Sequence, residues 1–475
     1  MSVEYDLVVI GGSVEGIYAA IAATYLNARV ALVEQGVSPY ADVLYRRAIA
    51  RIGDGLHQCD NIFPFATQAE FSRLDLAQAI SWAKEICATF SAAESRIRLA
   101  TLGVDAIAGK GEFIRLPHLA FQVQQRQLRS RAYLLAMGSS PVAPSIQGLT
   151  PPDYLTPNDL WQQEKLKTLP QNLLIVGGSP LALELSQSLN RLGKSVTLIV
   201  EDERLLSAED PQAIRWIQAT LEAEGICLFT QSPIAQVQKI DGKTWVQAGD
   251  RAIETDCIIC AQGQQPDLEG LNLEGVGIRV EGKRLHLNEK LQTTNPRIYG
   301  CGSIAGGYSS PQIARYEAQI ALHNALFSPW VKKCDYRHIP WTLLTEPNFA
   351  RVGMTERQAQ QRYGKDIFVA QHYFKEIPQA WILGQTTGFC KFVFRNNGEM
   401  LGAHIVGTQA AELIGTVTLA MKHRLKANAL AELFFPSPSI SEILQQTAQE
   451  WQLYALKRNK IRRHLRTQWL RWRRN

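Results

Sequence analysis

Cysteine is sparse in this 475-residue chain: eight residues, scattered without the regular spacing of a disulfide framework. That usage suits a reducing compartment and excludes a small, disulfide-stapled domain. No apolar run reaches the roughly 18 residues that a membrane-spanning helix needs. The opening stretch, MSVEYDLVVIGG, lacks a basic n-region and a cleavage site, so it does not read as a secretory signal. Hydrophobic residues make up 46% and charged residues 20%, which excludes a disordered chain. No metal site is read from the sequence. A cytoplasmic protein of roughly three domains is the expectation.

Acid is missing in one place. After Glu450 there is none, while Lys457, Arg458, Lys460, Arg462, Arg463, Arg466, Arg471, Arg473 and Arg474 crowd the last nineteen residues. Without those nine, 41 basic residues face 44 acids, so the net charge of +6 belongs to the tail.

What is present begins with a buried strand, Tyr5 to Ile10. It is followed by a turn at Gly11-Gly12-Ser13, an alanine-rich helix past Gly16, and a second strand ending at Glu34. Strands apolar throughout read as parallel, so this is a βαβ unit. The pattern returns 166 residues later with Gly177, Gly178, Ser179 and Ala182, then a strand ending before Glu201 and Asp202. A dinucleotide turn uses small residues for tightness, for approach of the pyrophosphate, and for helix–strand packing, with the phosphates on the helix N-terminus. Gly11, Ser13 and Gly16 supply those places in the first copy, and Glu34 stands where ribose hydroxyls need an acceptor. In the second copy two carboxylates follow the strand and would repel a 2′-phosphate, which favours NADH over NADPH. The alternative for the second copy is a retained domain whose nucleotide site has decayed. Residues 339–444 switch to short alternating strands and a helix at 410–423, an α+β pattern.

Further motifs join these units. Leu134-Leu135-Ala136-Met137-Gly138-Ser139-Ser140-Pro141 resembles an "ATG-S-x-P" crossing between domains, and Ala261-Gln262-Gly263-Gln264-Gln265-Pro266-Asp267 resembles the return crossing. Ile298-Tyr299-Gly300-Cys301-Gly302-Ser303 is similar to an "IYAAGD" flavin-ribityl motif. Ser437-Pro438-Ser439-Ile440-Ser441-Glu442 occupies the place of "HPTxSE". On these residues the chain resembles the class I pyridine nucleotide-disulfide oxidoreductases over roughly residues 5–447. The resemblance implies an α/β chain with two Rossmann-like dinucleotide-binding domains and an α+β dimerisation domain; the residues beyond it read separately as a basic amphipathic C-terminal tail helix. The expected boundaries are 1–148 and 264–330 for the two parts of an FAD domain, and 149–263 for an NAD(P)H domain. The dimerisation domain is expected at 335–448 and the tail at 449–475. A homodimer with FAD and NAD(P)H is implied.

The departures are as informative as the matches. Where the family places its C-x4-C disulfide, the chain has no cysteine; gap-free spacing puts Asp42 and Arg47 in the two slots, and Cys59 is too distant. The histidine of "HPTxSE" is Ser437, which cannot act as a base near neutral pH. The ribityl aspartate is Ser303. Cys257 and Cys260 lie in a strand pattern, where residues three apart face opposite sides, so they read as core cysteines. Glu184 falls where the family has a glutamate near the nicotinamide. Its lysine partner falls on Arg51, with Arg47 a helical turn away; an arginine beside the flavin would favour the charge of the reduced ring. The plainer alternative is that Arg46, Arg47 and Arg51 form a solvated helix face. The expected function is electron transfer from NAD(P)H through FAD directly to a small acceptor, such as a membrane quinone. The alternatives are a pyridine nucleotide transhydrogenase and a non-enzymatic FAD-binding scaffold or redox sensor.

In the tail, Ile461, Leu465, Trp469 and Trp472 share one helical face, with Tyr454 about two turns earlier. A basic helix with such a stripe fits an anionic membrane surface. Self-packing is the rival. Nucleic acid is disfavoured, because phosphate binding does not require an apolar stripe.

Overall fold

The structure is a computed structural model that describes residues 3–35, 39–62, 76–93, 96–160, 165–282, 284–307, 310–458 and 460–474. Only the backbone is described at 39–42, 58–62, 91–93 and 460–463. The side chains of Asp42 and Cys59 therefore lie outside the described residues.

Strand β1 (Tyr5–Ile10) leads into helix α1 (Val14–Tyr25) and strand β2 (Val30–Glu34). These centre a five-stranded parallel sheet, which runs Ile298–Gly300, Ser130–Leu135, β1, β2, Val104–Ala108. Both faces are covered. Leu7 and Val9 pack with Ile17 and Ala20 of α1, while Val8 and Ile10 pack with Phe113 and Phe121 of a small antiparallel layer. This double burial explains why β1 is apolar at consecutive positions. The strand Ile298–Gly300 joins this sheet from more than 160 residues along the chain, so the fold closes on itself around an inserted unit.

The insert repeats the design. Its parallel sheet runs Cys227–Phe229, Ser195–Ile199, Asn172–Val176, Cys257–Cys260, Tyr154–Leu155. The chain passes between the two sheets at Ser140–Pro141 and Gln264–Gln265, which pair antiparallel with each other.

The third unit is an antiparallel sheet in the order Trp341–Leu343, Asn348–Gly353, Met400–Gly407, Phe389–Arg395, Ile367–Tyr373. Helices Ala410–Lys422 and Glu442–Arg458 cover it. The latter helix runs unbroken through residue 449. Trp451 is buried in this unit's core, and Tyr454 stacks on Phe368 with centroids 4.1 Å apart and bonds Asn396 at 2.9 Å. Tyr454 is thus a packing residue of the third unit, not part of a tail stripe as its spacing suggested. A separate helix follows at Lys460–Trp472.

Candidate active site between the two nucleotide turns

Each glycine turn is shaped by contacts that admit no side chain. Gly11 has φ +116°, and a Cβ there would stand 2.0 Å from the Ala136 carbonyl oxygen; a Cβ at Gly16 would stand 2.2 Å from the Gly11 carbonyl oxygen. The second turn matches it: Gly177 has φ +127° and would meet the Ala261 carbonyl oxygen at 2.6 Å, while Gly178 would meet Val200 at 2.8 Å. The two serines are N-caps. Ser13 Oγ accepts from Gly16 N–H at 3.3 Å, and Ser179 Oγ accepts from Ala182 N–H at 3.2 Å while donating to the Ala261 carbonyl at 2.7 Å. The middle serines therefore do positive work: they fix the helix starts and leave other N–H groups of the first turn for an anion.

Between the turns lies a cavity of about 350 Å³. One wall carries Ser13, Glu15, Gly138 and Ser303; the other carries Ser179, Glu184, Ala261 and Gly263. Arg46 and Arg47 enter from helix α2 (Pro39–Ile62), and Trp341, Thr342 and Leu344 close the cavity from the third unit. Among the described residues no cysteine lines it. Ser303 donates its hydroxyl to the Gly138 carbonyl, which ties the ribityl-type motif to the first crossing. Ser139 similarly donates to the Gln264 side chain, joining the two crossings.

Of the residues the sequence singled out, Ser13, Gly138, Ser303, Ser179, Glu184, Gly263 and Arg47 line this cavity. Gly11, Gly12, Gly16, Gly177, Gly178 and Ala182 stand behind it, as the turn and helix packing that shape its walls. Glu34 ends β2 half-buried and pairs with Arg96 at 3.3 Å; burial raises its carboxyl, and Arg96 opposes the rise. Glu201 and Asp202 are exposed beyond the strand Ser195–Ile199. Arg51 departs from expectation: it is exposed and absent from the cavity wall, where Arg46 stands beside Arg47 instead. The physical reason is that position 51, one turn past 47, falls at the edge of the inward face formed by 46, 47 and 50. Residues 46 and 47 of α2 turn toward the helix Pro180–Arg191, whereas 51 turns to solvent.

Glu184 and Arg47 do not pair directly. Glu184 Oε1 accepts from Leu344 N–H at 2.9 Å, and Arg47 Nη1 donates to the Leu344 carbonyl at 2.9 Å, so one peptide segment of the third unit bridges them. Sequence reasoning missed this segment and Glu15, and it named Arg46 only as part of a solvated helix face. Glu15 carried a signal, an acid in the first turn of a phosphate-type helix.

Cys257 and Cys260 are core thiols, not a redox pair. Cys257 packs on one face of its strand and Cys260 on the other, in different cores. Burial pushes them up to about 11 and about 12, the opposite of an activated thiol.

This combination of two nucleotide turns, paired crossings and an antiparallel third unit defines a family. The chain belongs to the pyridine nucleotide-disulphide oxidoreductases: the family's model matches residues 5–318 and its dimerisation-domain model matches 339–448. It lacks the close-spaced cysteine pair of a redox disulfide. Similar proteins include a mercuric reductase from Staphylococcus aureus, 32% identical with 94% of this chain and 82% of the relative covered. Another is a dihydrolipoyl dehydrogenase from Thermus scotoductus, 28% identical with 94% and 97% covered. The HOCl-induced flavoprotein disulfide reductase RclA from Escherichia coli shares the fold, with a TM-score of 0.83 and 24% identity over 95% of this chain and 100% of that one. Family and neighbours point to an oxidoreductase that uses FAD and NAD(P)H without the family's disulfide.

Proposed function

We propose that the protein passes electrons from NAD(P)H, with NADH favoured, through FAD directly to a small diffusible acceptor of the quinone type. The observation that carries this reading is the cavity shared by both turns, with two arginines and no thiol on its described walls. FAD suits the first turn: the glycines allow close approach, the α1 N-terminus offers N–H groups, and Glu34 offers a ribose acceptor. When bound, FAD supplies the two-electron chemistry that no side chain here could perform. The chain's own part is positional and electrostatic. Arg46 and Arg47 place positive charge on the cavity wall, where negative charge grows on reduction. Trp341 and Leu344 exclude water from it. Without the cysteine pair, the space a disulfide would fill is left to an acceptor, so mercuric ion and disulfides are not the substrates proposed. The dimerisation domain makes a homodimer the proposed assembly, in which the loop at Ser437 and Glu442 faces the partner's flavin.

The tail gives the quinone its second support. In the helix Lys460–Trp472, Leu465, Trp469, Leu470 and Trp472 are exposed among arginines. Such a helix suits the surface of an anionic bilayer, where quinones dissolve.

The test is anaerobic titration of the oxidised protein with NADH and then NADPH. Bleaching of the flavin band by NADH first, and reoxidation by a soluble quinone, supports the reading. No bleaching by either nucleotide would leave a flavin scaffold, and reoxidation only by a second pyridine nucleotide would leave a transhydrogenase.

A further inference from the structure

Glu15 sits where an anion is expected to bind. It lies in the first turn of α1, on the cavity wall, and is only 6% exposed. Its carboxylate stands in the same turn as the free N–H groups of the helix start, where Ser13 Oγ is already committed to the Gly16 N–H. Those N–H groups are the donors that a dinucleotide pyrophosphate seeks. The carboxylate also presses on Gly302, where a Cβ would meet Glu15 Oε1 at 2.3 Å. It thus fills the corner between the phosphate turn and the Ser303 motif.

The surroundings add negative charge. On the other side of Gly302, Glu317 Oε2 accepts the Gly302 N–H at 2.7 Å, and its Oε1 accepts from Tyr336 O–H at 2.7 Å. Cys301 lies fully buried beside both acids, whose charge helps to keep its thiol protonated, and Glu317 does the same to Cys334. Arg46 and Arg47 face the cavity from α2, and Ser303 contributes only a hydroxyl already given to Gly138. Burial raises both carboxyls.

We propose that loading of FAD is coupled to the uptake of one proton by Glu15. This rests on the reading that the first turn holds FAD. The pyrophosphate brings negative charge to the helix turn where the Glu15 carboxylate is already buried on the cavity wall, with little water to screen the two anions. Taking a proton from solvent removes the repulsion and turns the carboxyl into a donor toward phosphate oxygen. Glu317 keeps its two donors when the cofactor enters, so its anion remains satisfied. Glu15 stands in the phosphate turn itself, so the proton goes there.

The experiment follows FAD release from the full-length holoprotein on dilution, by the rise in free-flavin fluorescence, between about pH 5.5 and 8.5. FAD's own phosphates and ring do not titrate in that window. For the wild type, Kd rises up to about tenfold per pH unit in the upper part of the range, the slope of a single linked proton. Glu15→Gln and Glu15→Ala are expected to be flat and to hold FAD more tightly than wild type at the high end. If either keeps the wild-type slope, or both hold FAD more weakly at every pH, Glu15 is an ordinary cofactor ligand and the inference is overturned alone. If neither wild type nor variants hold FAD at any pH, the proposed function fails with it.

Discussion

At the scale of single residues, the strongest constraints are steric. Gly11 has no room for a side chain and a φ that L-residues rarely adopt. Gly11→Asp drives its Cβ into the Ala136 and Met137 backbone, so the turn must shift while a carboxylate arrives beside the phosphate cradle. Two unit charges about 4 Å apart at an effective dielectric near 20 repel by about 4 kcal/mol, enough to empty the site at micromolar FAD. The expected result is colourless protein. Gly12→Asp separates charge from strain, since the nearest atoms to its Cβ are those of Glu34, from 3.3 Å, and it is expected to be colourless with a native circular dichroism spectrum. A yellow Gly11→Asp protein would move the FAD site elsewhere. These glycines, Ser179 and the core cysteine pair were legible in the sequence, because local spacing alone dictates them. Arg46, Arg51 and Glu15 were not. Whether an arginine of α2 faces the cavity depends on where that helix docks against Pro180–Arg191, and Glu15 matters through Gly302, nearly 290 residues away.

At the scale of elements, one junction joins all three units. Gln187 of the helix Pro180–Arg191 bonds the backbone of Glu346 both ways, at 2.7 and 2.8 Å. Arg191, nearly fully buried, bridges Asp54 of α2 and Glu224, each at 2.6 Å. No sequence pattern marks this cluster, since its members come from four separate segments. It has an excess of acid, and Glu346 bears the consequence: burial first, then the Asp54 charge, pushes its carboxyl up to about 7, against the pull of Arg191. A carboxyl whose pKa is raised by folding binds more protons in the native state. Stability therefore falls as pH rises from the unfolded value near 4.5 to about 7, and levels above that. The shift corresponds to on the order of 3 kcal/mol across the window. Glu346→Gln is expected to flatten the thermal-unfolding midpoint between about pH 5 and 7 and to raise it at pH 7.5. A variant with the wild-type pH profile would show that Glu346 is not the group responsible.

At the scale of the whole molecule, the question is how a body with a slight excess of acid carries a tail that is entirely basic after Glu450. The structure moves the boundary. Trp451 and Tyr454 belong to the third unit, so the separable segment starts after Arg458, about eight residues later than composition implied. In the helix beyond it, Trp469 and Trp472 meet edge to face at 6.0 Å, and Arg473 lies 5.1 Å over the Trp469 ring. Both tryptophans remain at least half exposed. Tryptophan edges with arginines around them match an interface between headgroups and acyl chains, whereas binding to phosphates alone would leave the apolar side idle. Each basic residue near an anionic leaflet contributes about 1 kcal/mol, so on the proposed membrane reading the tail's seven beyond Arg458 would hold the protein there at low salt. The measurement is flotation with anionic and with neutral vesicles, using the full chain and a chain ending at Arg458. Ending there keeps Trp451 and Tyr454 in place, so the shortened chain retains its third unit and any loss of flotation belongs to the tail. The full chain is expected to float with anionic vesicles alone, and to detach progressively as salt shortens the Debye length below about 8 Å. Equal behaviour of the two chains would assign the tail to packing on the protein or its dimer mate, and would remove the bilayer argument for a quinone.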